Sequence, residues 1–237
     1  MGDSDRNIQK NQKDKVVLLH GIARTVRSMR PIENALRNMG YETLSITYAS
    51  LRKSIDDIAA FLRDTYLTGD FWEKDQYNGH QCNKVHFVTH SMGGLVVRRF
   101  LDRYKAHIPE GRLGRVVMIA PPNGGSEVSD LIHRSLPYKW FYGPAGQELT
   151  SIAQSRNEGD IYYDLAVIAG RKSCPYIVAG LVIPGENDGR VSVEKTKIAG
   201  MRAHVTVNSS HTFIISNSLV HKYILDFLRE GVIGSGF

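Results

Sequence analysis

The sequence predicts an α/β fold, a mostly parallel, doubly wound sheet with helices on both faces. Three observations carry that prediction. Continuous apolar runs such as Val16-Val17-Leu18-Leu19 read as strands buried on both sides. Segments of helical periodicity alternate with those runs, and that alternation builds parallel sheets. Short stretches of His, Ser, Gly and Asp follow the runs, where doubly wound folds keep their functional residues.

The elements follow in chain order. Residues 1–14 read as a loose polar tail, and residues 15–237 as a single domain. Lys15 to Leu19 form the first strand, followed by His20-Gly21. Pro31 opens a helix with Ile32, Ala35, Leu36 and Met39 on one face, and Gly40 ends it. Thr43 to Tyr48 form the second strand. Ser54 and Asp57 have capping-box spacing ahead of Ile55, Ile58, Ala59, Leu62 and Tyr66. A polar loop spans 68–83. Val85 to Thr89 form the third strand, and Val96, Phe100 and Tyr104 mark the helix after it. Arg115 to Ala120 form the fourth strand, closed by Pro121-Pro122.

The pattern then breaks. Residues 123–164 are rich in Gly, Ser, Pro and aromatics, and read as a cap-like insertion after the fourth strand. Tyr176 to Val182 are expected as the fifth strand and His204 to Val207 as a short sixth. A last helix carries Leu219, Val220, Tyr223, Ile224, Phe227 and Leu228, with Gly231 as its stop.

Composition narrows the functional classes. A chain of 237 residues with 42% hydrophobic and 23% charged residues has the balance of a globular enzyme-sized domain. The net charge of +6 is spread along the chain with no dense basic run, so nucleic-acid binding is not expected. No stretch is long and apolar enough to span a bilayer. The polar start, MGDSDRNIQKNQKDK, lacks an apolar signal region, which gives the expectation of a cytoplasmic protein. Gly2 is followed by Arg6 where a myristoylation signal needs Ser or Thr. Cys82 and Cys174 have no zinc spacing and no partner implied by sequence; they read as thiols. No cofactor fingerprint and no clustered metal ligands are present, and the oligomeric state is left open.

The chemistry concentrates at strand ends. Thr89-His90-Ser91-Met92-Gly93 places a serine on the turn between a strand and a helix. There the free N–H groups of a helix start can meet an oxyanion. Gly93 and Gly94 permit close strand–helix contact. Asp188 lies in Pro184-Gly185-Glu186-Asn187-Asp188-Gly189, and His211 in Ser209-Ser210-His211. A serine hydroxyl is a weak nucleophile without an adjacent base, and a carboxylate on the far ring nitrogen fixes the imidazole tautomer. Glu186 and Glu194 compete with Asp188 for the acid. Asp160 and Asp164 precede the fifth strand and suit the role less. Among the histidines, His86 lies inside a strand, His221 lies on the last helix, and His90 adjoins the serine but is expected to point elsewhere.

These pieces resemble the α/β-hydrolase superfamily, and within it the small lipase- or esterase-like serine hydrolases. The matching stretches are "VVLLHGIAR", "VHFVTHSMGGLVVRRFL", "VVMIAPPNGGS", "ENDGRVSVE" and "SSHTFI". They recur in the order Ser, Asp, His along most of the chain. The resemblance implies Ser91 as nucleophile, Asp188 as acid and His211 as base. It also implies an oxyanion hole from the backbone N–H groups of Ile22 and Met92, shaped by His20, Gly21 and Gly93. Thr89 departs from the usual first glycine, and the short stretch before the first strand suggests a minimal sheet without a leading hairpin.

The expected activity is carboxylic-ester hydrolysis through an acyl-enzyme, on a short to medium acyl ester or a lipid. An acyltransferase or amidase could use the same three residues, and a binding protein could keep the scaffold without the chemistry. Leu131, Ile132, Leu136, Tyr138, Trp140, Phe141 and Tyr142 in the insertion are expected to help form an apolar acyl pocket.

Overall fold

The computed structural model describes residues 14–73, 84–126, 144–149, 160–174 and 183–234. Six strands form one sheet in the order β2-β1-β3-β4-β5-β6. They are β1 (Lys15–Leu19), β2 (Glu42–Ile46), β3 (Val85–His90), β4 (Leu113–Ile119), β5 (Leu165–Gly170) and β6 (Ala203–Val207), and every neighbouring pair is parallel. Four helices cover the sheet: α1 (Arg30–Asn38), α2 (Ile55–Thr65), α3 (Met92–Arg103) and α4 (Ser218–Glu230). No described helix is long and apolar enough to cross a membrane.

Alternation along the strands divides the core. Val17, Leu19, Phe87, Val116 and Val167 face α2 and α3, meeting Ile58, Leu62, Val96 and Phe100. Val16, Leu18, Val88, Val117 and Ile168 face the other side, against Ile32 and Leu36 of α1 and Ile224 and Phe227 of α4. Strands β3 and β5 are buried at every position. That burial explains their continuous apolar runs, because each face meets a helix layer.

The helix boundaries follow from local chemistry. Ser54 Oγ accepts from the Asp57 N–H at 3.0 Å while Asp57 returns a bond to the Ser54 N–H, closing the capping box of α2. Asn217 Oδ1 accepts from the Leu219 N–H at the start of α4, and Gly231 ends it in the left-handed conformation.

One strand of the sheet was not expected from the sequence. The fifth strand of the sheet is Leu165–Gly170, which pairs with β4 and β6. Tyr176–Val182, the strand expected there, lies outside the described residues. LAVIAG and YIVAGLV are both short apolar runs, and periodicity cannot rank them. The end of β5 at position 170 is crowded. A Cβ there would stand 2.5 Å from the Ser209 carbonyl oxygen and 2.8 Å from Asp188 Cβ, so the strand end requires glycine. The link from β4 to β5 therefore runs over 120–164. Its aromatic centre, including Leu131 to Tyr142, lies outside the described residues, as does Cys82.

Candidate active site

The chain runs from β1 outward to β2, then returns across β1 to β3 and continues to β6. The reversal falls between β1 and β3, and crevices for ligands form at the carboxyl ends of strands at such a point. His20-Gly21-Ile22 leaves β1 there and Ser91 leaves β3.

Ser91 occupies a backbone conformation of φ 54° and ψ −127°. For a residue with a side chain this costs on the order of 1–3 kcal/mol. Its surroundings impose it. The Ser91 N–H donates to the Ile119 carbonyl at 2.8 Å, and the Ser91 carbonyl accepts from the Gly94 N–H at 2.9 Å. Gly93 is required by proximity, since a Cβ would stand 2.7 Å from the Leu19 carbonyl oxygen and 2.9 Å from that of His20. The helix start can thus abut the end of β1. Thr89, in place of the expected glycine, is fully buried within β3 between Leu19 and Met118.

Ser91, His211 and Asp188 meet. Ser91 Oγ lies 3.0 Å from His211 Nε2, and His211 Nδ1 lies 2.7 Å from Asp188 Oδ2. All three are buried. The Asp188 Oδ1 atom accepts from the N–H groups of Arg190 and Val191 at 2.9 Å each, which compensates a carboxylate removed from water. The His211 N–H donates to the Asp188 carbonyl at 2.9 Å, tying the two loops backbone to backbone. Imidazole between a hydroxyl and a carboxylate can remove the hydroxyl proton as an electrophile is attacked.

The rival carboxylates are elsewhere. Glu186 is exposed and lies 3.6 Å from Arg171, and Glu194 is exposed and paired with Lys197 at 2.6 Å. Asp164 is paired with Arg202. His86 pairs with Asp14 at the amino end of β3, and His221 Nε2–H donates to the Ile215 carbonyl. His90 bonds to the backbone of His211 and not to Ser91. Its Nε2–H donates to the His211 carbonyl at 3.0 Å and its ring centre is 4.9 Å from that of His211. Burial holds its imidazole well below the usual histidine range, and His211 adds to the effect.

The turn after β1 is fixed from below. The His20 ring stacks on Tyr48 at 4.1 Å, and its Nδ1–H donates to the Gly21 carbonyl at 2.8 Å. Burial lowers its proton affinity. The Tyr48 hydroxyl donates to the His20 carbonyl, and the Ala23 N–H donates to Ser50 Oγ. A Cβ on Gly21 would stand 3.1 Å from Ser91 Cβ, which places this turn against the serine. Ile22 and Met92 are both buried beside it. Met92 opens α3, so its N–H has no acceptor within the helix.

Sequence reasoning missed three contributors. Asn187 builds the acid turn by donating to the Ile183 and Gly185 carbonyls and accepting from the Gly189 N–H. Asn is a common turn builder, and that was the available signal. Gly170 and His90 act through packing and a backbone contact that no local pattern displays. A cleft of about 760 Å³ lies beside α3, lined by Arg98, Asn123, Ile161, Lys197, Ile198 and Met201 among others. Ser91, Asp188 and His211 do not line it.

The sheet order and the serine turn are those of an α/β-hydrolase fold. Solved structures agree on the fold. A Bacillus licheniformis lipase, BlEst2, in its propeptide form, aligns with a TM-score of 0.75 at 20% identity, covering 96% of this chain and 53% of that one. The metagenomic carboxyl esterase MGS0156 aligns with a TM-score of 0.69 at 18% identity, covering 94% of this chain and 77% of that one. Phospholipase PlaB from Legionella pneumophila aligns with a TM-score of 0.59 at 23% identity, over 78% of this chain and 46% of that one. The chain spans about half the length of the lipase and phospholipase structures. No protein-family model and no curated protein matches the sequence.

Proposed function

We propose that the protein is a serine carboxylic-ester hydrolase that works through an acyl-enzyme on short to medium acyl esters. One observation carries this reading: Ser91 Oγ, His211 and the buried Asp188 form a continuous hydrogen-bonded line that starts on a strained turn at the carboxyl edge of the sheet. The names of the structural neighbours, a lipase and a carboxyl esterase, are in keeping with it.

His211 Nε2 takes the hydroxyl proton as Ser91 Oγ bonds to the ester carbonyl carbon. The carbonyl π electrons move onto oxygen, and the N–H groups of Ile22 and Met92 receive that oxyanion. Donors of this kind are worth roughly 3–4 kcal/mol each in comparable sites. The imidazolium, stabilised by Asp188, gives its proton to the departing alcohol oxygen as the C–O bond breaks. Water then repeats the sequence on the acyl-serine and releases the acid. The proposed acyl pocket rests on the 123–164 insertion, whose apolar residues would remove methylenes from water at about 0.8 kcal/mol each.

A series of p-nitrophenyl acetate, butanoate and hexanoate tests this, with emulsified triglyceride alongside and Ser91→Ala as the comparison. Turnover that rises from acetyl to hexanoyl and vanishes in the variant is the expected result. A preference for acetyl would reject the apolar pocket, and a sharp rate increase on emulsion would mark a lipase.

A further inference from the structure

We propose that Arg24 selects esters whose alcohol portion carries an anionic group, a phosphate or a carboxylate. The inference rests on the ester-hydrolase reading and deepens it.

Arg24 leaves the connection after β1 two residues beyond Ile22, and its side chain crosses to the other wall of the site. One guanidinium N–H donates to Thr212 Oγ1 at 3.0 Å, and Thr212 directly follows His211. The guanidinium therefore bridges the loop proposed to hold the oxyanion and the loop that carries the base. It is an exposed cation bonded to the residue that follows His211. Its field reaches the interior of the site, where it and Arg190 both disfavour a proton on His90.

Several arginines elsewhere on the surface have carboxylates beside them. Arg37 has Glu33, Arg63 has Asp64, and Arg202 has Asp164. Arg24 pairs with no carboxylate among the described residues. Arg27 follows in the same connection and Arg30 opens α1, both exposed and likewise without a carboxylate among the described residues. Exposed Arg52 lies on the neighbouring turn after β2, which the Ala23–Ser50 bond ties to this connection. Of these four, Arg24 is the one bonded to the His211 loop. A guanidinium retains donors beyond the one used on Thr212 and receives carboxylate or phosphate in a planar fork.

The side of the substrate follows from the chemistry. His211 must deliver its proton to the leaving alcohol oxygen, so the alcohol portion lies toward the His211 loop. Arg24 is anchored to that loop.

Two pairs of substrates of matched reactivity test the proposal. Butanoyl esters of meta-hydroxybenzoate and meta-hydroxybenzamide place the anion in the leaving group; p-nitrophenyl hydrogen adipate and p-nitrophenyl hexanoate place it in the acyl group. The wild type should favour the benzoate over the benzamide by about tenfold in kcat/KM, and less as salt rises from about 0.01 M to about 1 M. The ratio should fall to near unity in Arg24→Ala, invert in Arg24→Glu and recover in part in Arg24→Lys. An unchanged ratio in Arg24→Ala would overturn the assignment, as would a preference confined to the adipate pair. Turnover of the neutral esters with no such ratio would remove Arg24 alone. No turnover of any of the four would overturn the ester-hydrolase reading and this proposal together.

Discussion

Nε2 of His90 donates a hydrogen bond to the carbonyl oxygen of His211 at 3.0 Å, so the residue before Ser91 holds the backbone of the proposed base. Both histidines are buried, and the bond joins the end of β3 to the loop after β6. Losing it would leave a buried carbonyl without a donor. His90→Ala is expected to cost about 2 kcal/mol of stability and to lower kcat/KM by about tenfold. His90→Gln, whose amide nitrogen reaches a similar position, should recover most of the rate. Urea denaturation and ester kinetics on the three proteins check this. An Ala variant of full activity and reduced stability would make the bond a purely structural one.

Burial also ties stability to pH. The unfolded chain protonates histidine near ~6.5. In the fold, burial keeps His90 well below that and lowers His20 as well. Below ~6.5 the unfolded chain therefore takes up protons that the fold refuses. Stability is fully present above that pH and is lost as acidity carries the protein through the folded values. The urea midpoint should fall between about pH 7.5 and about pH 5, and fall less in His90→Gln. Equal slopes in the two proteins would count against His90 as a source of the loss.

Two glycines separate contact from conformation. A Cβ on Gly93 would press on the carbonyls of Leu19 and His20, whereas one on Gly111 would meet nothing within 4 Å, although Gly111 has φ +75°. Gly111→Ala should cost about 1 kcal/mol through backbone strain alone. Gly93→Ala should cost about 2–3 kcal/mol through overpacking and should also abolish most activity, because the serine turn must move. Denaturation midpoints and ester turnover read both effects.

The serine turn was legible because strand, serine, two glycines and helix are contiguous in sequence. His211 was legible because it directly follows a strand. The strand preceding Asp188 was not. Leu165–Gly170 is a short apolar run like Tyr176–Val182, and its place in the sheet depends on packing of Gly170 against Ser209 and Asp188, residues distant in the chain. The same holds for the contacts of Arg24 with Thr212 and of His90 with His211, which span 188 and 121 positions. Local patterns report which residues can do chemistry, and tertiary packing decides which loops meet.

The acid can be tested against its neighbours in the turn. Asp188 holds His211 at 2.7 Å, while Glu186 faces Arg171 and Glu194 faces Lys197. Asp188→Asn should lower kcat by about 10⁴ through the wrong imidazole tautomer. Glu186→Gln and Glu194→Gln should change it by less than about twofold, as exposed substitutions away from the reacting atoms. A large loss in either Gln variant would move the acid assignment.

The central claim is that Ser91 Oγ attacks substrate and becomes acylated. A fluorophosphonate probe tests it most directly, because it bonds only to a serine activated by its neighbours. Labelling of the intact protein followed by peptide mapping should place one phosphonyl group per chain, on Ser91, and Ser91→Ala should remain unlabelled. Stoichiometric labelling of Ser91→Ala, or a phosphonyl group on another residue of the wild type, would contradict the account.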